Sequence, residues 1–240
     1  MTELLYQTDS YLKDFTAVVT AALAEESAVV LDRTAFYAGG GGQPHDTGVL
    51  IWNETVCPVV KIKHRGDDVI HFLNPDRPKP GIGDKLTGQI DWHRRYQLMR
   101  THTAMHILCG VVWRDYGAQV TGGNMEPLKG RMDFEFASLK KELVVQIEEA
   151  INREVSRARQ VSARIMPRAE AFAIPDLIRT KINLLPEGIN RVRVVEIEGL
   201  DLQADGGTHV QNTREIGSLR IADYKSKGAI NKRIYLEITD

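Results

Sequence analysis

Short branched and aromatic runs separated by turn residues dominate the first 90 positions of the chain. The runs "FTAVVTAAL", "SAVVLDRTAFY", "TGVLIW" and "CPVVKIKH" show no helical stripe, so they predict β-strands. A small barrel or sandwich accounts for strands of this kind. Residues 74–84 contain three prolines and two glycines, which predict a turn-rich crossing near a domain boundary at about residue 90.

Two helices and several strands are predicted for the rest of the chain. The first helix has Asp91 as its N-cap, and one stripe of it carries Met99, His102, His106, Cys109 and Trp113. The second opens after Ser138, with apolar positions at Leu139, Leu143, Ile147, Ala150, Ile151 and Val155. Alternation at 191–199 and 232–238 predicts strands. The expected fold class is α+β, with a small β-barrel domain over 1–90 and a C-terminal α/β domain over 91–240.

Composition limits the partners that the whole chain can attract. Its 240 residues suffice for one large or two modest domains, and 42% of them are hydrophobic, enough for an ordinary core. The 31 basic and 32 acidic residues give a formal charge of −1, so any polyanion must meet a local basic patch. The sequence shows no leader pattern and no long apolar run, which favours the cytoplasm and no membrane partner. Cys57 and Cys109 are expected to be reduced.

Two histidine-containing pairs share one spacing. His102 and His106 stand in "HTAMH", and Asp205 and His209 stand four apart in "DGGTH". Side chains four apart on a helix share a face, so the first pair can hold a metal ion, although two unrelated histidines would have the same spacing. If the glycines fold the second pair into a tight loop, four nitrogen and oxygen ligands would complete a tetrahedral site, for which zinc is the expected ion.

Other residues of the first helix are expected to have different roles. Cys109 stands about 10 Å along the helix from His102, at a rise of about 1.5 Å per residue, so we expect it in the core. Met105 is expected to pack as well. A metalloprotease motif needs a glutamate where this chain has Thr103, which disfavours that class of enzyme.

The run "AGGGGQP" at 38–44 does not match the GxGxxG nucleotide motif, because Pro44 takes a glycine position and no P-loop lysine follows. Its composition fits a flexible hairpin. It equally fits a bare backbone that approaches a substrate closely, with Gln43 offering an amide.

Several longer segments resemble the editing domain of alanyl-tRNA synthetase. They are "RTHTAMHIL", "GRMDFEF", "DLQADGGTHVQNTREIGSLRI" and "KGAINKRIYLEI", while "LDRTAFYAGGGGQPHDTGVL" is similar to the segment that precedes that domain. The match covers roughly residues 30 to 240, in order. The aminoacylation and anticodon-recognising parts have no counterpart here. The chain therefore resembles a free-standing editing protein of the AlaX family, of the medium-length type with an N-terminal β-barrel.

The resemblance implies hydrolysis of the ester that joins serine, with glycine as a second substrate, to tRNA specific for alanine. It makes His102, His106 and His209 ligands of one zinc ion per chain. Most relatives have a cysteine as the fourth ligand, where this chain has Asp205, a harder ligand that zinc still accepts. A water molecule or Gln203 is the alternative fourth ligand.

No Ser-His-Asp or Cys-His nucleophile pattern stands out, so water is expected to attack the ester directly. The metal would activate the water, polarise the carbonyl or position the substrate. A site that hydrogen-bonds the serine hydroxyl would spare alanine, and Thr121, in the turn "VTGGN", is the first choice for that contact. The catalytic candidates are Thr121, Gln43 and Thr208, and the substrate-binding candidates are Gly40, Gly41, Gly42, Gln43, Thr103 and Thr121.

Basic residues in two segments are candidates for phosphate contacts with tRNA, although a solvated helix face explains each of them equally well. They are Arg153, Arg157, Arg159, Arg164, Arg168, Arg179 and Lys181, followed by Lys225, Lys227, Lys232 and Arg233. Two other functions stay open. One is a hydrolase for another charged tRNA, such as that specific for threonine, and the other is a tRNA-binding module without activity.

Overall fold

The computed structural model describes residues 1–180 and 188–239. The chain divides into two compact units, of which the first ends at Tyr96 and the second begins at Gln97. The strands of the first unit are β1 (Glu3–Leu4), β2 (Asp14–Leu23), β3 (Ala28–Leu31), β4 (Arg33–Thr34), β5 (Gly48–Trp52), β6 (Thr55–Arg65), β7 (Asp68–Leu73) and β8 (Lys85–Ile90). Short 3₁₀ turns occupy Leu5–Gln7 and Ala24–Glu26.

Six of these strands close into a barrel in the order β2, β3, β7, β6, β5 and β8, while β1 and β4 form a separate parallel pair. Alternation along β2 turns Phe15, Ala17 and Val19 into the barrel core. The predicted small barrel is confirmed, and the sandwich alternative is wrong because the six strands form one closed sheet. Residues 74–84, predicted to cross near a domain boundary, are instead the loop from β7 to β8 within the barrel.

The second unit is α+β, as predicted. Its elements are the greater part of α1 (Trp92–Tyr116), β9 (Val120–Glu126), β10 (Lys129–Glu135), α2 (Lys141–Ser156), β11 (Val161–Pro167), α3 (Arg168–Phe172), β12 (Arg191–Ile197), β13 (Asp201–Ala204), a 3₁₀ turn (Thr213–Ile216), β14 (Ser218–Ser226) and β15 (Asn231–Thr239). Strands β14, β15, β10 and β9, in that order, form one antiparallel sheet, and strands β11, β12 and β13 form another. The predicted strands at 191–199 and 232–238 correspond to β12 and β15.

Helix α1 begins as predicted but is buried more widely than predicted. The Asp91 carboxylate accepts the backbone N–H of Arg94 at 3.2 Å, which confirms the N-cap. Every residue from 101 to 112 is buried, so the expectation of a single buried stripe is wrong. The reason is that neighbours pack on several sides: Met105 lies against Gly130 of β10, and Gly110 lies against Leu200.

Helix α2 begins at Lys141, later than predicted, with Lys140 at the N-cap and no side-chain hydrogen bond there. Leu139 therefore precedes the helix. The buried positions include Ile147, Ala150 and Ile151, as the spacing predicted. Among the helices of the described residues, none is long and apolar enough to cross a membrane.

Candidate metal centre

Helix α1 supplies two histidines to one buried cluster. His102 and His106 lie one turn apart on the same face, and both are buried. Their ring centroids are 5.1 Å apart. The predicted pairing of these two side chains is therefore present in the structure.

The loop after β13 supplies the other two residues. Asp205 Oδ2 accepts the backbone N–H of Gly207 at 2.8 Å, and Arg193 of β12 donates to the carbonyl oxygens of Asp205 and Gly207 at 3.0 and 2.9 Å. Neither Gly206 nor Gly207 has a positive φ. The loop is thus shaped by the Asp205 and Arg193 side chains, and not by the backbone freedom of glycine that the sequence suggested.

The two pairs meet in one cluster. One potential ligand atom from each of His102, His106, Asp205 and His209 lies within 4.8 Å of the others. His209 lies with its ring centroid 4.3 Å from that of His102 and 4.8 Å from that of His106. Asp205 Oδ2 is 2.9 Å from Nε2 of His209, and its Oδ1 is 3.5 Å from Nε2 of His102. The carboxylate therefore faces the imidazoles directly.

Burial and the Asp205 charge set the protonation states of the cluster. Burial lowers the pKa of His209 to about 4, although its hydrogen bond to Asp205 acts against this. Burial likewise holds the pKa of His102 well below its ordinary value. Desolvation would raise the pKa of Asp205, but the neighbouring His102 and the hydrogen bond with His209 outweigh it and hold that pKa well below its ordinary value. Neutral imidazole and ionised carboxylate are the forms that bind metal.

His106 differs from the other two histidines. Burial acts to lower its pKa, but the hydrogen bond to Asp201, at 2.9 Å from Nδ1, outweighs burial and raises it. Because Nδ1 contacts Asp201, Nε2 is the ring atom left for a metal. Three imidazoles and one carboxylate are a donor set that fits zinc, so the residues present suit the ion that the sequence predicted.

The sequence did not point to three residues that lie beside the cluster. They are Asp201, Arg193 and, as an ion-pair partner, Arg179. The pattern "DLQAD" could have identified Asp201, because alternate residues of a strand share a side and Asp201 therefore shares the side of Asp205. Gln203, the alternative fourth ligand, instead donates its amide to Asp201 at 2.8 Å and contacts Cys109 Sγ at 3.3 Å. Cys109 is buried in the core, as predicted, and burial raises the pKa of its thiol.

The threonine candidates lie in different surroundings. The Thr103 hydroxyl is 3.2 Å from Nδ1 of His209 and accepts the backbone N–H of Val210 at 3.3 Å. Thr208 is fully buried next to His209 in the chain. Thr121 lies on strand β9, where it is exposed, and not in the turn that was predicted for it. The Thr103 hydroxyl is thus in contact with the cluster.

The glycine run forms a defined hairpin turn in the first unit. Gly40 and Gln43 exchange backbone hydrogen bonds at 3.0 and 2.9 Å around Gly41 and Gly42, whose φ angles are 56° and 88°. Positive φ at both central positions is the requirement of a type I′ turn, which explains glycine there. Gln43, expected to offer its amide, is buried. A role of Gly40, Gly41, Gly42 and Gln43 in substrate binding stays a prediction.

Several of the basic residues expected to contact phosphate have partners within the protein. Arg157 and Arg159 bind Glu154 at 2.8 and 2.7 Å. Arg179 pairs with Asp201, and Lys232 donates to backbone carbonyls. A phosphate contact by either residue stays a prediction. Arg233 pairs with Asp133, Arg164 with Glu196 and Lys225 with Asp223, and Lys181 lies outside the described residues.

Two family models match parts of the chain. The model described as tRNA synthetases class II (A) matches residues 3–94. The model of the threonyl and alanyl tRNA synthetase second additional domain matches residues 192–235. The second match contains Asp205 and His209, whereas His102 and His106 lie outside both.

Curated proteins match the chain over its whole length. The chain is 37% identical over 246 residues to the alanyl-tRNA editing protein AlaX-M of Methanosarcina acetivorans, and the match covers 100% of both chains. It is also 37% identical over 240 residues to AlaX-M of Saccharolobus solfataricus, covering 99% of each. The chain is 40% identical over 226 residues to the alanine–tRNA ligase of Ignicoccus hospitalis, and this match covers 92% of this chain and 24% of that protein.

Proposed function

Because the chain belongs to the family of alanyl-tRNA editing proteins AlaX-M, we propose that it deacylates mischarged tRNA specific for alanine in trans. It releases serine, and glycine as well, by attack of water on the aminoacyl ester. The observation that carries the proposal is the cluster of three histidines and one aspartate in a chain that is similar to these proteins from end to end. The substrate is charged tRNA, so the protein acts in the cytoplasm.

His102, His106, His209 and Asp205 hold one zinc ion in this proposal. When bound, such an ion supplies Lewis-acid polarisation of the ester carbonyl, or a water of lowered pKa. Arg193 orients Asp205 by holding the loop backbone on both sides of Gly206. The three histidines of the cluster are buried, which lowers the local dielectric constant and strengthens their interaction with a polar ester.

Selection against alanine depends on the hydroxyl group of serine. A site that hydrogen-bonds this hydroxyl leaves its own polar group unpaired when alanine binds. Thr103 becomes the first choice because its hydroxyl contacts a cluster histidine. Thr208, Thr121 and Gln43 remain the other proposed contacts for the substrate.

Each part of the chain has a proposed role. In this proposal residues 1–90 form a β-barrel domain whose glycine turn contacts the charged tRNA, and residues 91–240 form the editing domain. The second candidate function is hydrolysis of another charged tRNA, such as that specific for threonine. The description of the matched second additional domain, which names threonyl as well as alanyl synthetases, favours this alternative.

The test is a deacylation panel with zinc-loaded protein. Seryl, glycyl and alanyl esters on tRNA specific for alanine, and a seryl ester on tRNA specific for threonine, are followed by release of labelled amino acid. We expect rapid release of serine, slower release of glycine and retention of alanine. The His102→Ala, His106→Ala double variant should lose activity at least about 100-fold, because two ligands are removed. The control is His93→Ala, an exposed histidine of α1.

Other results of the deacylation panel would support other functions. Preferential release from the threonine-specific tRNA would establish the second candidate. Tight tRNA binding without release of any amino acid, by protein that contains zinc, would refute the enzyme and indicate a binding module. Full activity in the double variant would refute the metal cluster as the site of reaction.

A further inference from the structure

A buried carboxylate lies directly behind one histidine of the cluster. Asp201, at the start of β13, exposes 1% of its side chain. Its Oδ2 contacts Nδ1 of His106 at 2.9 Å and accepts the amide N–H of Gln203 at 2.8 Å. Its Oδ1 lies 3.1 Å from Nη1 of Arg179. One carboxylate thus joins a cluster histidine to an amide and a guanidinium.

The contact with Asp201 determines which nitrogen of His106 carries the proton. An ionised carboxylate has lone pairs and no proton to donate, so Nδ1 must be the donor. The lone pair of the neutral ring is then on Nε2. The opposite tautomer would place an N–H on Nε2 and prevent that atom from binding a metal.

Arg179 supplies the charge that a buried carboxylate needs. Its side chain is 11% exposed, and its guanidinium lies 5.5 Å from the Trp113 ring of α1. Its backbone carbonyl accepts the N–H of Val120 at 3.1 Å, which fixes its position beside β9. A buried carboxylate without a charged partner would be strongly destabilised, so the ion pair with Arg179 holds Asp201 in position.

His209 of the same cluster has a weaker partner at its Nδ1 atom than His106 has. Nδ1 of His209 faces the hydroxyl of Thr103 at 3.2 Å, which is longer than the contact of His106 and involves a neutral group. A hydrogen bond to a charged acceptor is roughly twice as strong as one between neutral groups. At Nδ1, His106 therefore has the stronger contact of the two, whereas the charged partner of His209, Asp205, is on its Nε2.

We infer that Asp201 and Arg179 are positioning residues of the metal centre: Asp201 fixes the His106 ring with its proton on Nδ1 and its Nε2 towards the ion, and Arg179 holds Asp201. This inference rests on the proposed metal-dependent function. Neither residue touches the substrate or the ion. Their effect on catalysis is transmitted through His106.

The first experiment needs no variant. Two-bond ¹H–¹⁵N correlation spectra of the metal-free protein, labelled with ¹⁵N-histidine and recorded above pH 8, report the tautomer of each neutral ring, and the His106→Gln variant assigns the signals. We expect His106 to be protonated on Nδ1. Protonation on Nε2 would overturn the inference, whatever the protein does to tRNA.

The second experiment measures zinc affinity by competition with a chromophoric chelator. Asp201→Ala should weaken zinc binding about 10- to 100-fold, and Arg179→Gln should weaken it less. Asp201→Asn, which keeps an acceptor oxygen, should retain more affinity than Asp201→Ala. The matched control is Asp133→Asn, which removes the charge of a carboxylate that pairs with Arg233 in the four-stranded sheet, and it should bind zinc like the original protein.

The outcomes separate the two proposals. Absence of zinc binding by the original protein would refute the metal-dependent function. Zinc binding by Asp201→Ala as tight as that of the original protein would refute the positioning role and leave the function intact. If Asp201→Ala does not fold, the tautomer of His106 in the original protein decides the question.

Discussion

At the scale of single residues, Asp205 joins the loop to the cluster. Its Oδ2 accepts the N–H of Gly207, and the same carboxylate faces His102 and His209. A cysteine at this position, as the resemblance predicts for most relatives, offers one sulfur atom and no second acceptor. The aspartate therefore stabilises the turn and also belongs to the candidate ligand set.

Replacing Asp205 by cysteine should separate these two roles. Asp205→Cys is expected to favour zinc over manganese by about tenfold more than the original protein, because thiolate is the softer ligand. The metal-free variant should lose about 1 kcal/mol of stability, because the N–H of Gly207 loses its acceptor. Competition titrations and urea unfolding measure the two effects. Asp205→Ala, the control, should lose both metal affinity and the turn, and an unchanged metal preference in Asp205→Cys would contradict the prediction.

A histidine outside the cluster should make the barrel sensitive to acid. His71 of β7 is fully buried beside the Thr34 hydroxyl at 2.9 Å, and burial lowers its pKa to about 4. As the pH falls, His71 of the unfolded chain binds a proton at about pH 6.5, whereas His71 of the folded chain binds one only at about pH 4. The free energy of unfolding should therefore fall between about pH 6.5 and 4, by about 3 kcal/mol in total.

The His71 contribution is measured by urea unfolding at several pH values. His71→Gln should show a flatter dependence on pH over this range than the original protein. The control is His93→Gln, which changes an exposed histidine and should keep the original slope. Equal slopes in all three proteins would show that another group governs the response to acid.

At the scale of elements, close packing decides where the strands of the barrel need glycine. A Cβ atom on Gly48 of β5 would lie 2.1 Å from the backbone oxygen of Gln89 and 2.8 Å from the Phe36 ring. Such a contact requires the backbone of β8 to move. By contrast, the nearest atom to a Cβ on Gly81, in the loop before β8, is 3.8 Å away.

Gly48→Ala should therefore destabilise the barrel by about 2 kcal/mol or more, since overpacking against backbone cannot be relieved by a change of rotamer. Gly81→Ala is the matched control and should change stability by less than about 0.5 kcal/mol. Urea unfolding followed by tryptophan fluorescence compares the two. Equal stability of the two variants would mean that the strands adjust more easily than their contacts imply.

At the scale of the whole molecule, the candidate ligands all belong to one unit. His102, His106, Asp205 and His209 lie in the part of the chain that begins at Gln97, and the barrel contributes none of the four. Metal binding by these four residues would therefore be coupled to the folding of the second unit. A ligand that binds only the folded state, and is present at 100 times its dissociation constant, stabilises that state by about 2.7 kcal/mol.

Hydrogen exchange with and without zinc should show this difference between the units. We expect zinc to slow exchange in α1 around His102 and His106 and in the 205–209 loop, while exchange in strands β2 to β8 stays constant. The His102→Ala, His106→Ala variant should show no response to zinc. Protection confined to the barrel would place the ion elsewhere.

Local patterns in the sequence determined the elements and part of the site. The spacing of His102 and His106 is a property of one helical turn, and the alternation in the first 90 residues reflects strands that bury one side. Both can be read without knowing what packs against them. The matches between long segments and a known editing domain gave the family for the same reason, since they depend on residues close in the chain.

Only the tertiary structure decided which distant residues meet. Asp205 and His209 join α1 across about a hundred positions of the chain, and the pairing of Asp201 with His106 and Arg179 depends on how β13 packs beside that helix. Composition grouped Arg179 with residues exposed to phosphate, but packing turned it inwards. Contacts of this kind depend on how whole elements pack, so periodicity within one element does not contain them.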